Sequence, residues 1–284
     1  MCVKKHMTIE EQILLLESRG CLIENNSVVK KILLDVNYYR ISSYFLPFKK
    51  QNGSYIDGTS FNKVFRNYIF DRKLRSLLIF IIEKIEIALK TRVAYFHTLK
   101  YGPLGYLSQE NYNQHFDKDV LDSKIEKYIK KHINNPVIKH HITKYNSKFP
   151  FWVIIEFFSF GDVSKIYSTL DIRTQKEIAK SFNTNATCML SWNYCVTQLR
   201  NVCAHYSRVY NTKMISIPVT PKKFHFKLDN TLFSYLLIIR ELLNDKDEWN
   251  LFMIQLESLI EEYQFDIELN RLGFPKFWRH ILNS

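Results

Sequence analysis

Apolar residues recur along this chain at helical spacing, three or four positions apart, rather than in alternation. Thr8 lies three positions before Glu11, as in a capping box, so EEQILLLESRG predicts a helix that stops near Gly20. A second helix is expected from about Ser27 through VVKKILLDVNYY. The stretch RISSYFLPF, Arg40 to Phe48, then breaks the pattern with paired serines and Pro47, and Gly53 and Gly58 bracket a short loop. Tyr38, Tyr39, Tyr44 and Phe45 read as core or helix-junction packing rather than as a base-stacking platform.

From Ser60 the pattern stays helical for nearly forty residues, with Leu74, Leu78, Ile81 or Ile82, Ile85 and Leu89 on one face. One helix of that length would run about 60 Å, long for a compact domain, so a break is expected near Asp71, which would cap the second piece. Gly102, Pro103 and Gly105 mark a connection, and a polar segment from about Ser108 to Lys148 follows, with helix predicted over Phe116 to His132. PFWVIIEFFSFGDVSKIYSTL predicts a helix from Pro150 or Phe151, interrupted near Gly161 and resumed at Asp162. IRTQKEIAKSF supplies another, and NTNAT leads into a helix spanning Leu190 to Asn211. Pro218 and Pro221 exclude a continuous helix from MISIPVTPKKFHF, after which 228–243 and 247–262 resume helical spacing and KFWRHIL forms a short packing segment.

Composition agrees with an all-α chain: Gly and Pro number 7 each, too few for a fold built from many tight turns, while 46% hydrophobic residues provide a core. The formal charge of +12 is concentrated early, with 25 Lys and Arg against 14 Asp and Glu in residues 1–150, and 15 against 14 afterwards. That asymmetry suits a polyanionic partner. Cys2, Cys21, Cys188, Cys195 and Cys203 form no zinc spacing and read as reduced thiols. His132, His140 and His141 lack acidic or Cys neighbours at ligand spacing, so they read as solvated rather than metal-binding, and their lysine-rich surroundings suit an RNA-binding surface. No metal or cofactor is expected. Neither an export signal nor a membrane span is visible, and a cytoplasmic protein is the expectation.

Candidate chemistry falls on LSWNYCVTQLRNVCAHYSRVYN. At 100° per residue Trp192, Val196, Leu199, Cys203, Tyr206 and Tyr210 share one side, while Asn201, His205 and Arg208 share the other and Arg200 lies near the boundary. No acidic residue of the segment neutralises the polar face. Guanidinium holds phosphate through paired donors and imidazole moves protons near neutral pH, so RNA cleavage is the chemistry this face suggests. Asn201 stands one turn before His205 and can orient it. Arg72, Arg75 and Glu86 read either as active-site support or as a surface ion network, and Glu156, within an apolar run, needs a partner or access to water.

These pieces carry a wider resemblance. EQILLLESRG at 11–20, NYYRISSYFLPF at 37–48, SFNKVFRNYIFDRKLRSLL at 60–78, IEKIEIALK at 82–90, PFWVIIEFFSFGDVSKIY at 150–167 and LRNVCAHYSRVYN at 199–211 resemble, in order, the Abi-like family of prokaryotic abortive-infection proteins, the AbiD/AbiF type, within the HEPN superfamily of helical ribonucleases. The resemblance spans roughly residues 8–211. It implies a HEPN-like helical core over 59–211 with a polar insertion near 106–148, flanked by an N-terminal helical region, 1–58, and a C-terminal helical extension, 212–284. Its Arg-x4-His element is filled by Arg200 and His205, with Asn201 after the arginine as in many members. Relatives often carry His and Trp where this chain has Tyr206 and Tyr210, both on the predicted packed face. Asp71, Arg72, Arg75, Glu86 and Glu156 support either the chemistry or the fold.

By the same resemblance the chain is expected to be a metal-independent endoribonuclease toxin of phage defence. Arg200 would hold the scissile phosphate and His205 would move the proton in attack by the 2′-hydroxyl. Asn201 and Arg208 would bind phosphate or support the site, and two motifs would meet in a homodimer. A noncoding RNA is the expected inhibitory or structural partner. The alternative is a non-catalytic RNA-binding regulatory module.

Overall fold

A computed structural model describes residues 5–283. The first helix, α1 (Ile9–Ser18), opens with the expected capping box: the Glu11 amide donates to Thr8 Oγ1 at 3.2 Å and the Thr8 amide donates to Glu11 Oε2 at 2.7 Å. Next, α2 (Asn26–Asp35) ends sooner than its periodicity suggests. Val36 is extended, and the Asn37 side chain accepts from the Tyr39 amide at 2.7 Å to start α3 (Tyr38–Ser42), which passes into a 3₁₀ turn over Ser43–Phe48. A local asparagine cap therefore overrides the apolar spacing. Tyr44 and Phe45 are buried as expected, but Tyr39 lies on the outer side of α3 and is exposed.

Then comes α4 (Phe61–Tyr101), one helix of 41 residues between the Ser60 cap and Gly102. The break expected at Asp71 does not occur. Asp71 is fully buried within the helix, and its carboxylate accepts from Arg75 one turn on and from the distant Tyr210 amide instead of capping a new N-terminus. The length is accommodated because α4 serves two hydrophobic cores. Phe61 and Val64, in its first turn, join a small cluster with Ile13, Leu16, Leu33, Ile41 and Phe45. From Phe70 onward Leu74, Leu78, Ile81, Ile82, Ile85, Leu89 and Val93 run through the main core.

The polar segment folds as α5 (Lys118–Lys131) and α6 (Pro136–Lys144), capped by Asp117 and Asn135. A short α7 (Phe151–Ile154) continues as a 3₁₀ turn to Phe157, and α8 (Phe160–Thr169) restarts at a Ser159–Asp162 capping box. The interruption thus falls at Phe158 and Ser159 instead of Gly161, because the serine hydroxyl and Asp162 satisfy the new helix's first amides. After α9 (Ile172–Ser181) comes α10 (Ala186–Ala204), running antiparallel to α4; its C-terminal end faces the Asp71 region. The stretch around Pro218 and Pro221 is irregular as expected, and α11 (Leu232–Leu243), α12 (Lys246–Glu262) and α13 (Trp278–Asn283) complete the chain. Their Leu236, Ile239, Phe252, Leu256 and Trp278 belong to the same main core as α4 and α10. Among the described residues there is no β-sheet, so the fold is all-α, and no helix is long and apolar enough to cross a membrane.

His97 sits in the core end of α4, fully buried among the rings of Tyr101, Tyr112 and Phe151, and neither ring nitrogen has a hydrogen-bond partner. Burial pushes its pKa down from 6.5 to about 4, with Asp171 pulling upward and Lys100 adding to the depression. The unfolded chain therefore binds this proton below about 6.5, while the folded chain accepts it only below about 4. Stability should be full above pH 6.5 and fall by about 3 kcal/mol as pH drops toward 4. Urea unfolding across that interval should show this decline in the wild type and a flatter profile for His97→Phe.

Candidate functional site

At the C-terminal end of α10 the chain leaves the helix in a defined turn. His205 is the capping residue, Tyr206 follows with φ +58°, the Tyr206 amide donates to Cys203 O at 3.1 Å, and the Ser207 amide donates to Val202 O at 2.9 Å. This is a Schellman turn with tyrosine where glycine is usual. An aromatic residue in the left-handed region costs about 1 kcal/mol, so the surroundings must hold it. Arg40 of α3 does so from outside, its Nη1 donating to Tyr206 O at 2.5 Å. The predicted helix to Asn211 thus stops at Ala204. Tyr206 is 68% exposed rather than packed, and Tyr210 is buried with its hydroxyl accepting from the Glu268 amide.

Behind the turn lies Asp71. Its Oδ2 accepts from Tyr44 Oη and from Arg75 Nη1, each at 2.5 Å, and its Oδ1 accepts from the amides of Tyr210 at 2.8 Å and Val209 at 3.2 Å. Burial pulls the Asp71 carboxyl upward, against Arg75, Tyr44 and the two amides. Burial also works against the Arg75 charge, yet Asp71 beside it holds the guanidinium above its ordinary value. Four donors on one carboxylate are what its ionised form can satisfy, and the pair is read as charged. Arg75 is thereby a fold residue, out of contact with solvent. The neighbouring Cys203 thiol is pushed up to about 12, chiefly by burial, and is inert.

The solvent side of the same helix end carries the predicted pair. His205 is exposed, and among the described residues its ring has no hydrogen-bond partner. Arg200, five residues earlier and about 7.5 Å along the axis, is 37% exposed, and its Nε lies 3.5 Å from Glu86 Oε2 of α4. The face is therefore not free of acid, because a carboxylate invisible in the local segment arrives from another helix. Glu86 also meets Lys90 Nζ at 3.3 Å, and Lys90 donates to the backbone carbonyl of Glu156 at 3.3 Å. Arg200, Glu86 and Lys90 form one cluster. The Glu156 carboxylate instead projects to solvent, which resolves its place in an apolar run. Asn201 is exposed; its carbonyl accepts from the His205 amide at 2.9 Å, but no hydrogen bond joins its side chain to the imidazole.

Arg208 is committed elsewhere. Its Nη1 donates to Ser43 O, its Nε donates to Thr212 Oγ1 at 3.2 Å, and its guanidinium lies over the Tyr44 ring. Together with Arg40 it ties the α3 region to the turn after His205. Arg72 is not brought to the cluster: it lines a groove with Ser76, Ile254 and Ser258 between α4 and α12. Lys90 and Arg40 were missed by sequence reasoning, and Tyr44, read as packing, was not tied to Asp71. Lys90 was findable as the i+4 partner of Glu86 on a helix, whereas nothing local announces Arg40 or Tyr44. Among the described residues no three His, Cys, Asp or Glu side chains converge to hold a metal ion.

An all-α scaffold that presents an Arg–His pair at a pinned helix end is the class this geometry defines. Residues 31–211 match the Abi-like protein family, and the chain belongs to that family, which points to a role in abortive infection. No curated protein and no solved structure matches the chain.

Removing the charge of Asp71 while keeping its shape should strand Arg75 in the core. Asp71→Asn is expected to lower unfolding free energy by about 3 kcal/mol, read from denaturant midpoints. It should also speed hydrogen exchange at the Val209 and Tyr210 amides ahead of the rest of α10. Unchanged exchange at both amides would contradict the pinning role.

Proposed function

We propose that the protein is a metal-independent endoribonuclease toxin of a phage-defence system, with Arg200 and His205 as its catalytic residues. The observation that carries this reading is the solvent-facing His205 imidazole, with no hydrogen-bond partner among the described residues, on a backbone turn that Arg40 holds from outside and Asp71 from behind. A proton-transfer group needs that combination of access and fixed position. Arg200 supplies a cation about one and a half turns away, and the Glu86 carboxylate restrains its guanidinium on the side toward α4. Resemblance to HEPN ribonucleases and membership of the Abi-like family favour RNA as substrate.

In the proposed step the substrate's 2′-hydroxyl gives up its proton to His205 as its oxygen bonds to phosphorus. The bond from phosphorus to the 5′-oxygen breaks, and that oxygen takes up a proton. Arg200 neutralises charge developing on the phosphoryl oxygens. Products are a 2′,3′-cyclic phosphate and a 5′-hydroxyl, and DNA, without the internal nucleophile, is not cut. One imidazole serves the two proton transfers less well than two. A homodimer that brings two Arg200–His205 pairs together is therefore the proposed working unit, in the cytoplasm, with a noncoding RNA as its restraint. Asn201, exposed at the same helix end, binds phosphate, and Arg208 acts through the turn it anchors.

A second reading has its own observation. Glu86 already pairs with Arg200, and an arginine so held suits static phosphate binding in an RNA-binding regulatory module as well as it suits catalysis.

The test is cleavage of a mixed, end-labelled RNA panel in EDTA. Wild-type protein should yield cyclic-phosphate ends, His205→Ala should lose at least about a hundredfold in rate while retaining RNA affinity, and Arg200→Ala should lose rate and affinity together. Binding without cleavage by the wild type supports the regulatory module. Sedimentation of the cleaving species should show a dimer; full activity in a strict monomer would remove the composite site.

A further inference from the structure

A second surface, apart from His205, is rich in lysine. From Lys127 to Ile155 there are six lysines and no aspartate or glutamate. The structure gathers part of this run into a groove of about 460 Å³, lined by Pro103, His140, His141, Tyr145, Lys148 and Trp152. That volume lies in the range of sites for nucleotide-sized ligands. Trp152 is 52% exposed and Tyr145 is 47% exposed, so two large rings in one groove present area that a flat ligand could cover. The Tyr145 ring is held in place by its neighbours. His141 Nδ1 bonds to Val137 O at 2.9 Å, its ring stacks on buried Phe149 at 5.4 Å, and Tyr145 packs against both histidines at 5.2–5.4 Å.

The rim is cationic and uncommitted. Lys139, Lys144 and Lys148 are exposed, and none has an ion-pair partner among the described residues. Lys144 lies beside the Tyr145 ring, 5.8 Å from its centroid. Aromatic faces in a groove with lysines at its edge and no carboxylate in its lining match the two chemistries of a single nucleic-acid strand: flat bases that stack, and phosphates that need cations. A duplex hides its bases from such rings, and an acidic peptide would leave them unused.

We propose that this groove binds single-stranded RNA by stacking bases on Trp152 and Tyr145 while Lys144 and Lys148 hold the flanking phosphates. The inference rests on the proposed nuclease reading only in naming RNA as the strand. About 22 Å of α4 separates Tyr101, at the groove's end of that helix, from Glu86, at the Arg200 cluster. The segment Phe151–Phe157 joins the two, carrying Trp152 at one end and the Glu156 carbonyl that Lys90 holds at the other. A strand seated in the groove therefore reaches the helix end through several nucleotides, and the groove selects which RNA is presented there without touching the scissile bond.

The test uses the full chain with His205→Ala, so that RNA stays intact, and a fluorescein-labelled unstructured RNA 12-mer read by anisotropy, alongside the same strand in a duplex. Trp152→Ala, and separately Tyr145→Ala, should weaken single-strand binding about ten- to a hundredfold. Lys144→Ala with Lys148→Ala should lower the slope of log affinity against log salt by about 1.4, while Lys222→Ala, outside the groove, should leave the slope unchanged. The paired-lysine variant leaves the aromatic packing in place and so separates loss of contact from loss of fold. Unchanged affinity in the aromatic variants, equal affinity for the duplex, or no binding at all would overturn the proposal. Cleavage by the wild type with groove variants binding normally sinks the groove alone; groove-dependent binding with no cleavage sinks the nuclease alone.

Discussion

One buried carboxylate organises the region around the candidate site. Asp71 lies in the middle of no local pattern, yet it collects Tyr44 from the N-terminal helices, Arg75 from its own helix, and the amides of Val209 and Tyr210 from the chain that leaves α10. A buried charge is tolerated only when its donors are in place, so these three stretches can sit in one arrangement and not in another. Arg40 and Arg208 repeat the connection at the surface, each donating across the same junction to a backbone carbonyl. The position of His205 follows from these bonds more than from the helix that precedes it.

That distinction explains which features were legible beforehand. Helices whose ends carry their own signals were readable: Thr8 with Glu11, and the proline-broken stretch at Pro218 and Pro221. The mistakes came where a side chain answered a distant partner. Asp71 has the chemistry of a helix cap, and periodicity cannot reveal that two of its donors, the amides of Val209 and Tyr210, lie more than 130 residues away. Tyr206 has the spacing of a packed residue, but the turn that exposes it is set by Arg40 and by capping of the α10 carbonyls. Glu86 and Arg200 were both singled out, and only the antiparallel passage of α4 and α10 brings them to 3.5 Å.

The two cores divide the labour. The small N-terminal cluster includes the first turn of α4 and stops there, whereas the main core takes in the remainder of α4, α10 and the C-terminal helices α11 to α13. Residues beyond Asn211 therefore pack directly against the helices that carry Glu86 and Arg200, even though the family match ends at residue 211. The polar segment between α4 and α7, by contrast, is rich in exposed lysine and contributes fewer residues to the core.

The spacing of these contacts along the chain also orders events during synthesis. Arg40 reaches Tyr206 across 166 positions, and Asp71 waits for Val209 across 138. A ribosome making this protein exposes the first helices, all of α4 and most of α10 before the turn that places His205 exists. Contacts of such long range close late, after local helices have formed. The turn with the candidate chemistry thus takes its shape only after α4 and most of α10 are made, and a chain cut short upstream of Val209 leaves Asp71 Oδ1 without the two amides that fix that turn.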